Sequence, residues 1–147
     1  MTAPLLQLML RDLDRLQKEM TAYDSPEKLW TTPGAVQNSA GNLCLHLAGN
    51  LQHFIGGVLG GSGYVRNREF EFNAKDVPVE KLLEEIAAAK VALNNTLPNV
   101  SQETLNQTYP LEVFGEPMST ELFLLHLQGH LNYHLGQINY HRRLTVS

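Results

Sequence analysis

The chain has 147 residues, 43% hydrophobic and 18% charged, which suits one globular domain over residues 1–147 and excludes a disordered or fibrous polymer. A net charge of −4 with scattered basic residues leaves no electrostatic footprint for nucleic acid or an anionic membrane surface. The single cysteine, Cys44, excludes an internal disulfide and fits a reducing cytoplasm; no apolar run approaches the roughly 18 residues of a membrane span, and the N-terminus lacks a signal-peptide pattern.

Leu5, Met9, Leu13, Leu16 and Met20 recur at steps of three and four, with Arg11, Asp14, Arg15 and Lys18 opposite. This predicts an amphipathic first helix from Pro4 to Ala22. Ser25-Pro26-Glu27 reads as the start of a single turn carrying Leu29 and Trp30, broken by Pro33-Gly34, with Trp30 plugging one end of the core. Asn38 or Ser39 can cap a second helix from Ser39 to Leu59, apolar on much of its circumference and therefore buried on more than one side. Cys44, among Leu43, Leu45 and Leu47, reads as a buried inert thiol. Gly60-Gly61-Ser62-Gly63 ends that helix.

Tyr64 to Val77 shows no helical period and is long enough to cross from one end of a bundle to the other. The third helix begins after Asp76, with Pro78 in its first turn, and shows Leu82, Leu83, Ile86, Ala89, Leu93 and Leu97 at helical spacing up to Pro98. Between Ser101 and Glu116, Tyr109, Leu111 and Val113 alternate with polar residues, which predicts a short extended piece. Ser119 or Thr120 then caps the fourth helix. The sum is an all-α four-helix bundle with a long crossover between its second and third helices, a frame in which metal sites are built from inward side chains on facing helices.

The fourth helix carries His126, His130, His134 and His141 within a stripe roughly 80° wide. Buried imidazoles need partners for both nitrogens, and metal ligation supplies one. Neighbours four residues apart stand about 6 Å apart along the axis and can share an ion, whereas His126 and His134, about 12 Å apart, cannot. The chelating pair is His126 with His130 or His130 with His134. A third ligand would come from His46 or His53 in the second helix.

The runs Asn38-Ser39, GNLCLHLAGNLQHFIGG, RNREFEF and GHLNYHLGQI resemble the DinB-like (damage-inducible, YfiT-like) superfamily, in element order along the whole chain. The resemblance implies a four-helix bundle and a three-histidine site for a divalent metal ion, zinc or nickel foremost, with His46, His130 and His134 as ligands. It also implies a choice of activities: a metal-dependent S-transferase of a small thiol, acting with an electrophile, or a metal-dependent hydrolase. The alternative is a non-catalytic, stress-associated metal-binding protein. The fourth helix offers no carboxylate beside its histidines as general base, which favours thiol transfer or plain metal binding over hydrolysis. His53, His126 and His141 read as structural or supporting, His126 being the alternative ligand.

Arg66 and Arg68 in the crossover could clamp a substrate carboxylate, or could pin the loop through Glu69 or Glu71. Asn50, Tyr133 and Gln137 lie within a turn of the proposed ligands and could orient them or touch substrate. An apolar face left over on such a bundle would favour a homodimer.

Overall fold

The computed structural model describes residues 1–146. Four long helices form a bundle: α1 (Thr2–Thr21), α2 (Ala40–Leu51, continued by a π-helical segment Gln52–Leu59), α4 (Val79–Thr96) and α6 (Thr120–Thr145). Two short helices, α3 (Arg68–Asn73) and α5 (Gln102–Asn106), lie in the connections. Both α1 and α2 pack against α4 and α6, so α1 and α2 occupy diagonal corners. Among the described residues, no helix is long and apolar enough to cross a membrane.

Side-chain pairs fix the helix directions. Gln52 donates to Glu85 and Gly60 lies against Thr96, so α2 and α4 run parallel. Asp12 meets Gln128 and Asn132 while Glu19 meets Asn139 and Arg142, so α1 and α6 are also parallel. His46 faces His130 and Phe54 faces Phe123, which makes α2 and α6 antiparallel. A parallel α2–α4 pair requires the chain to return along the bundle, and residues 60–78 provide that crossover.

Ser39 caps α2 by accepting from the Asn42 amide, and Ser119 caps α6 by accepting from the Leu122 amide. The 3₁₀ turn Pro26–Trp30 carries Trp30 into the core at the foot of α2. There, a Cβ on Gly41 would stand 2.6 Å from the indole, so only glycine lets helix and ring approach this closely. Cys44 is buried and its thiol is pushed up by burial, then by Glu85, which matches an inert role.

Three expectations are corrected. The crossover contains a helical turn, α3, because the Asn67 side chain accepts from the Phe70 amide and starts one locally. Residues 101–116 form no strand: α5 occupies Gln102–Asn106 and an isolated bridge joins Thr108 to Ser119, while Leu111 and Val113 are exposed. Pro78 stands before α4 as its N-cap rather than inside its first turn.

Asp12 is a buried carboxylate on α1 that accepts from Arg11 and, across the interface, from Gln128 (2.9 Å) and Asn132 (3.1 Å) on α6. Burial pushes this carboxyl up, but the hydrogen bonds from Arg11, Asn132 and Gln128 outweigh it and hold the group below the usual carboxylate range. A depressed folded-state pKa means that the stabilisation is complete above the unfolded value, about 4, and is lost as pH falls through the lower folded value. Asp12→Ala is expected to cost about 1–3 kcal/mol at neutral pH, and this difference should shrink below about pH 4 when denaturant unfolding is followed across pH.

Candidate metal centre

The α2–α6 interface brings His46, His130 and His134 together: one ring nitrogen of each lies within 4.8 Å of the others. His46 Nε2 and His130 Nε2 are 3.1 Å apart, close to the separation of about 3.3 Å that two imidazole nitrogens take when sharing a tetrahedral ion at about 2.0–2.1 Å. The His134 ring stands edge-on to both, with centroids 5.4 Å from His46 and 4.6 Å from His130. Of the two chelating pairs open to the helix geometry, the pair facing His46 is His130 with His134.

The outward nitrogens explain why the inward ones are free. His46 Nδ1 lies 3.1 Å from Glu71 Oε1, which only accepts, and 3.3 Å from Arg66 Nη2, which only donates; the carboxylate contact is the shorter, and a proton donated along it leaves Nε2 to face inward. His134 Nδ1 donates in the same way to Gln137 Oε1 at 2.7 Å. His130 Nδ1 is buried with no partner among the described residues. Burial first, then His134, His46, His126 and Arg66, pulls the His130 pKa down to about 3. Burial likewise lowers His134, against the Gln137 hydrogen bond, with His46 adding to the decrease. Both rings are neutral donors at neutral pH, the form that ligates a metal. Three converging imidazoles, two of them with Nδ1 engaged by a neighbouring oxygen, fit a divalent ion.

Glu71 is the site residue whose role the sequence did not disclose. It is buried on α3, and Arg66 grips it with a fork, Nε to Oε2 and Nη2 to Oε1, both at 2.9 Å. Burial pushes its carboxyl up, but hydrogen bonds from His46 and Arg66 hold it below the usual range, so it is ionised. Asn42 fixes α3 by donating to the carbonyls of Glu71 (3.1 Å) and Ala74 (2.8 Å), and Phe72 lies against the His46 ring. The carboxylate rests on the α2 backbone at Gly49, where a Cβ would overlap Oε2. Gly49→Ala is expected to displace Glu71 and cost about 1–3 kcal/mol of folding stability, measurable by chemical denaturation in the presence of chelator.

The remaining residues take varied places. Arg66 is committed to Glu71, so its ion pair pins the loop, as the sequence allowed. Arg68 lies over the Phe72 ring, with the guanidinium carbon 5.0 Å from the centroid, and supports the ring that backs His46. Asn50 sits one turn beyond His46, 6% exposed, and its Oδ1 has no partner among the described residues. Tyr133 is exposed, with its ring 5.3 Å from that of His134. His126 is exposed, stacked on Phe123 and edge-on to Phe114, and His53 packs on Phe54; neither joins the three. His141 is structural: its Nε2 donates to the Thr31 carbonyl and its Nδ1 accepts from the Tyr23 hydroxyl. The π-helical segment, in which the Gly60 amide donates to the carbonyl five residues back, lies just beyond Asn50 and was not foreseen. Its Phe54 carbonyl accepts from the buried Tyr109 hydroxyl at 2.6 Å.

A family model described as "Protein of unknown function (DUF1572)" matches residues 5–146, and no curated protein matches the chain. The structure is similar to the crystal structure of a DinB-like protein from Bacillus cereus ATCC 10987, with a TM-score of 0.70 and 19% identity over 95% of this chain and 89% of that one. The chain thus belongs to the family described as Protein of unknown function (DUF1572), and its fold is DinB-like.

Proposed function

We propose that this protein binds one divalent metal ion through His46, His130 and His134 and acts as a metal-dependent S-transferase of a small thiol. The observation that carries the reading is the pair of anchored rings: Glu71 and Gln137 each accept from an Nδ1–H, which leaves Nε2 of His46 and of His134 for a ligand, and Nε2 of His46 lies 3.1 Å from that of His130. Zinc and nickel are the ions we favour, because both suit an all-imidazole donor set. When bound, such an ion would supply the Lewis acidity that lowers the pKa of a coordinated thiol or water.

The chain's own groups argue for a thiol rather than hydrolytic water. Hydrolysis calls for a carboxylate free to take a proton from water. Glu71, the carboxylate beside the cluster, faces the outward nitrogen of His46 and is saturated by Arg66. A thiol needs no such base in place, since its proton is lost far more readily than that of water. The buried Cys44, the chain's one cysteine, leaves the sulfur to come from a substrate and accords with a reducing, cytoplasmic setting.

The reaction to test joins the thiol sulfur to an electrophilic carbon: the S–H proton passes to buffer, the carbon–halogen bond breaks, and the halide departs with the electron pair. Metal-loaded protein, 2-mercaptoethanol and 1-chloro-2,4-dinitrobenzene should yield thioether and chloride faster than a His130→Ala control. Full metal loading with no acceleration across several thiols and electrophiles would instead support the non-catalytic metal-binding reading.

A further inference from the structure

Between residues 35–38, which lead into α2, and the second half of α6 lies a cleft of about 540 Å³, a size suited to a small organic molecule. His134 and Gln137 form part of its wall, so one of the three converging imidazoles borders the cleft. We infer that it receives the body of the thiol substrate and that this body is uncharged and carries a ring. The inference rests on the thiol-transfer reading above and names the substrate class.

Charge comes first. Not one Asp, Glu, Lys or Arg lines the cleft. A carboxylate or phosphate entering it would leave water without a counter-ion, and an unpaired ion is costly to desolvate. Arg66, the half-buried cation beside His46, is already held by Glu71. Arg143 lies outside the wall, over the Tyr140 ring at 5.7 Å, where solvent screens its charge.

The wall does offer neutral recognition. Tyr133 and Tyr140, seven residues apart on one stripe of α6, are 66% and 65% exposed and present ring surface. Their hydroxyls and the carboxamides of Gln37 and Asn38 make no hydrogen bond among the described residues, so four neutral polar groups remain for a ligand. A thiol whose sulfur is held at the cluster would lay its body along this wall, because His134 is where the cleft and the cluster meet.

The test uses the full chain and three probes: benzyl mercaptan, its para-carboxylate analogue 4-(mercaptomethyl)benzoic acid, and ring-free 2-mercaptoethanol. In cobalt-loaded protein, titrations of the thiolate-to-cobalt absorption band should rank benzyl mercaptan about tenfold tighter than either other probe. Tyr140→Ala should erase that advantage. A second readout needs no metal: in His130→Ala, benzyl mercaptan should shift the Gln37 and Asn38 side-chain amide resonances, and the carboxylate analogue should not. Amide shifts without cobalt-dependent absorption would uphold the cleft while overturning the metal reading beneath it. Equal affinities for all three probes with unmoved amides would overturn the inference. So would a dimer, seen by light scattering, that Tyr140→Ala dissociates and whose formation leaves the amides blind to every probe.

Discussion

His130→Ala is expected to lower divalent-metal affinity by at least about a hundredfold while leaving the metal-free protein folded. The loss follows from position. His130 is the centre of the cluster, with its Nε2 3.1 Å from that of His46 and its ring 4.6 Å from that of His134. Removing a ligand should exceed the 10–100-fold cost typical of removing a group that merely orients one. Folding survives because the ring contributes little to the metal-free state: its Nδ1 is a buried polar atom without a partner among the described residues, and its neighbours disfavour its charge. A competition titration against a chromophoric chelator reads the affinity, and helical circular dichroism reads the fold. His126→Ala is the control: that ring is exposed, stacked on Phe123 and edge-on to Phe114, and should change affinity less than about twofold, the scale of removing an exposed surface contact.

Glu71→Ala should act on fold and metal together. The substitution strands the Arg66 guanidinium and the His46 Nδ1–H in a buried setting, and breaking one side of such a pair costs about 3–5 kcal/mol. Without its acceptor the His46 ring is also free to turn or change tautomer, which should weaken metal binding about 10–100-fold. Glu71→Gln separates the two effects. It keeps an oxygen for Nδ1–H while removing the charge that Arg66 grips, so affinity should fall less than in Glu71→Ala although stability still suffers. Denaturant unfolding in excess chelator isolates the folding cost from the metal contribution. An unchanged metal affinity in Glu71→Ala would mean that the carboxylate does not orient His46.

The contrast between these residues shows what periodicity can disclose. The imidazoles at 126, 130, 134 and 141 share a stripe by helix geometry alone, and the apolar repeats of α1, α2, α4 and α6 mark the bundle. Which of His126 and His134 lies beside His46 was not in the spacing. Phe114 and Phe123 take the ring of His126, while Gln137 one turn on holds that of His134 next to His46 and His130. Glu71 was hidden for a different reason. In RNREFEF it is one of two acids in a polar crossover, and only the docking of α3 against α2, through Asn42 and the open backbone at Gly49, makes it the buried one. The alternation at Tyr109, Leu111 and Val113 suggested a strand, but the pairing stops at the one bridge from Thr108 to Ser119. Tyr109 instead turns inward to the Phe54 carbonyl, and its two successors face solvent. The π-helical segment left no mark in the apolar pattern.

The central claim is a single-ion site made by three histidines, and the most direct measurement is metal content by mass spectrometry. Untagged protein, purified without chelator, would be compared with His46→Ala, His130→Ala and His134→Ala. The account predicts close to one divalent ion per chain in the wild type, lost in all three variants with helical circular dichroism retained. No metal after reconstitution with zinc or nickel, or full metal in the His46→Ala protein, would contradict it.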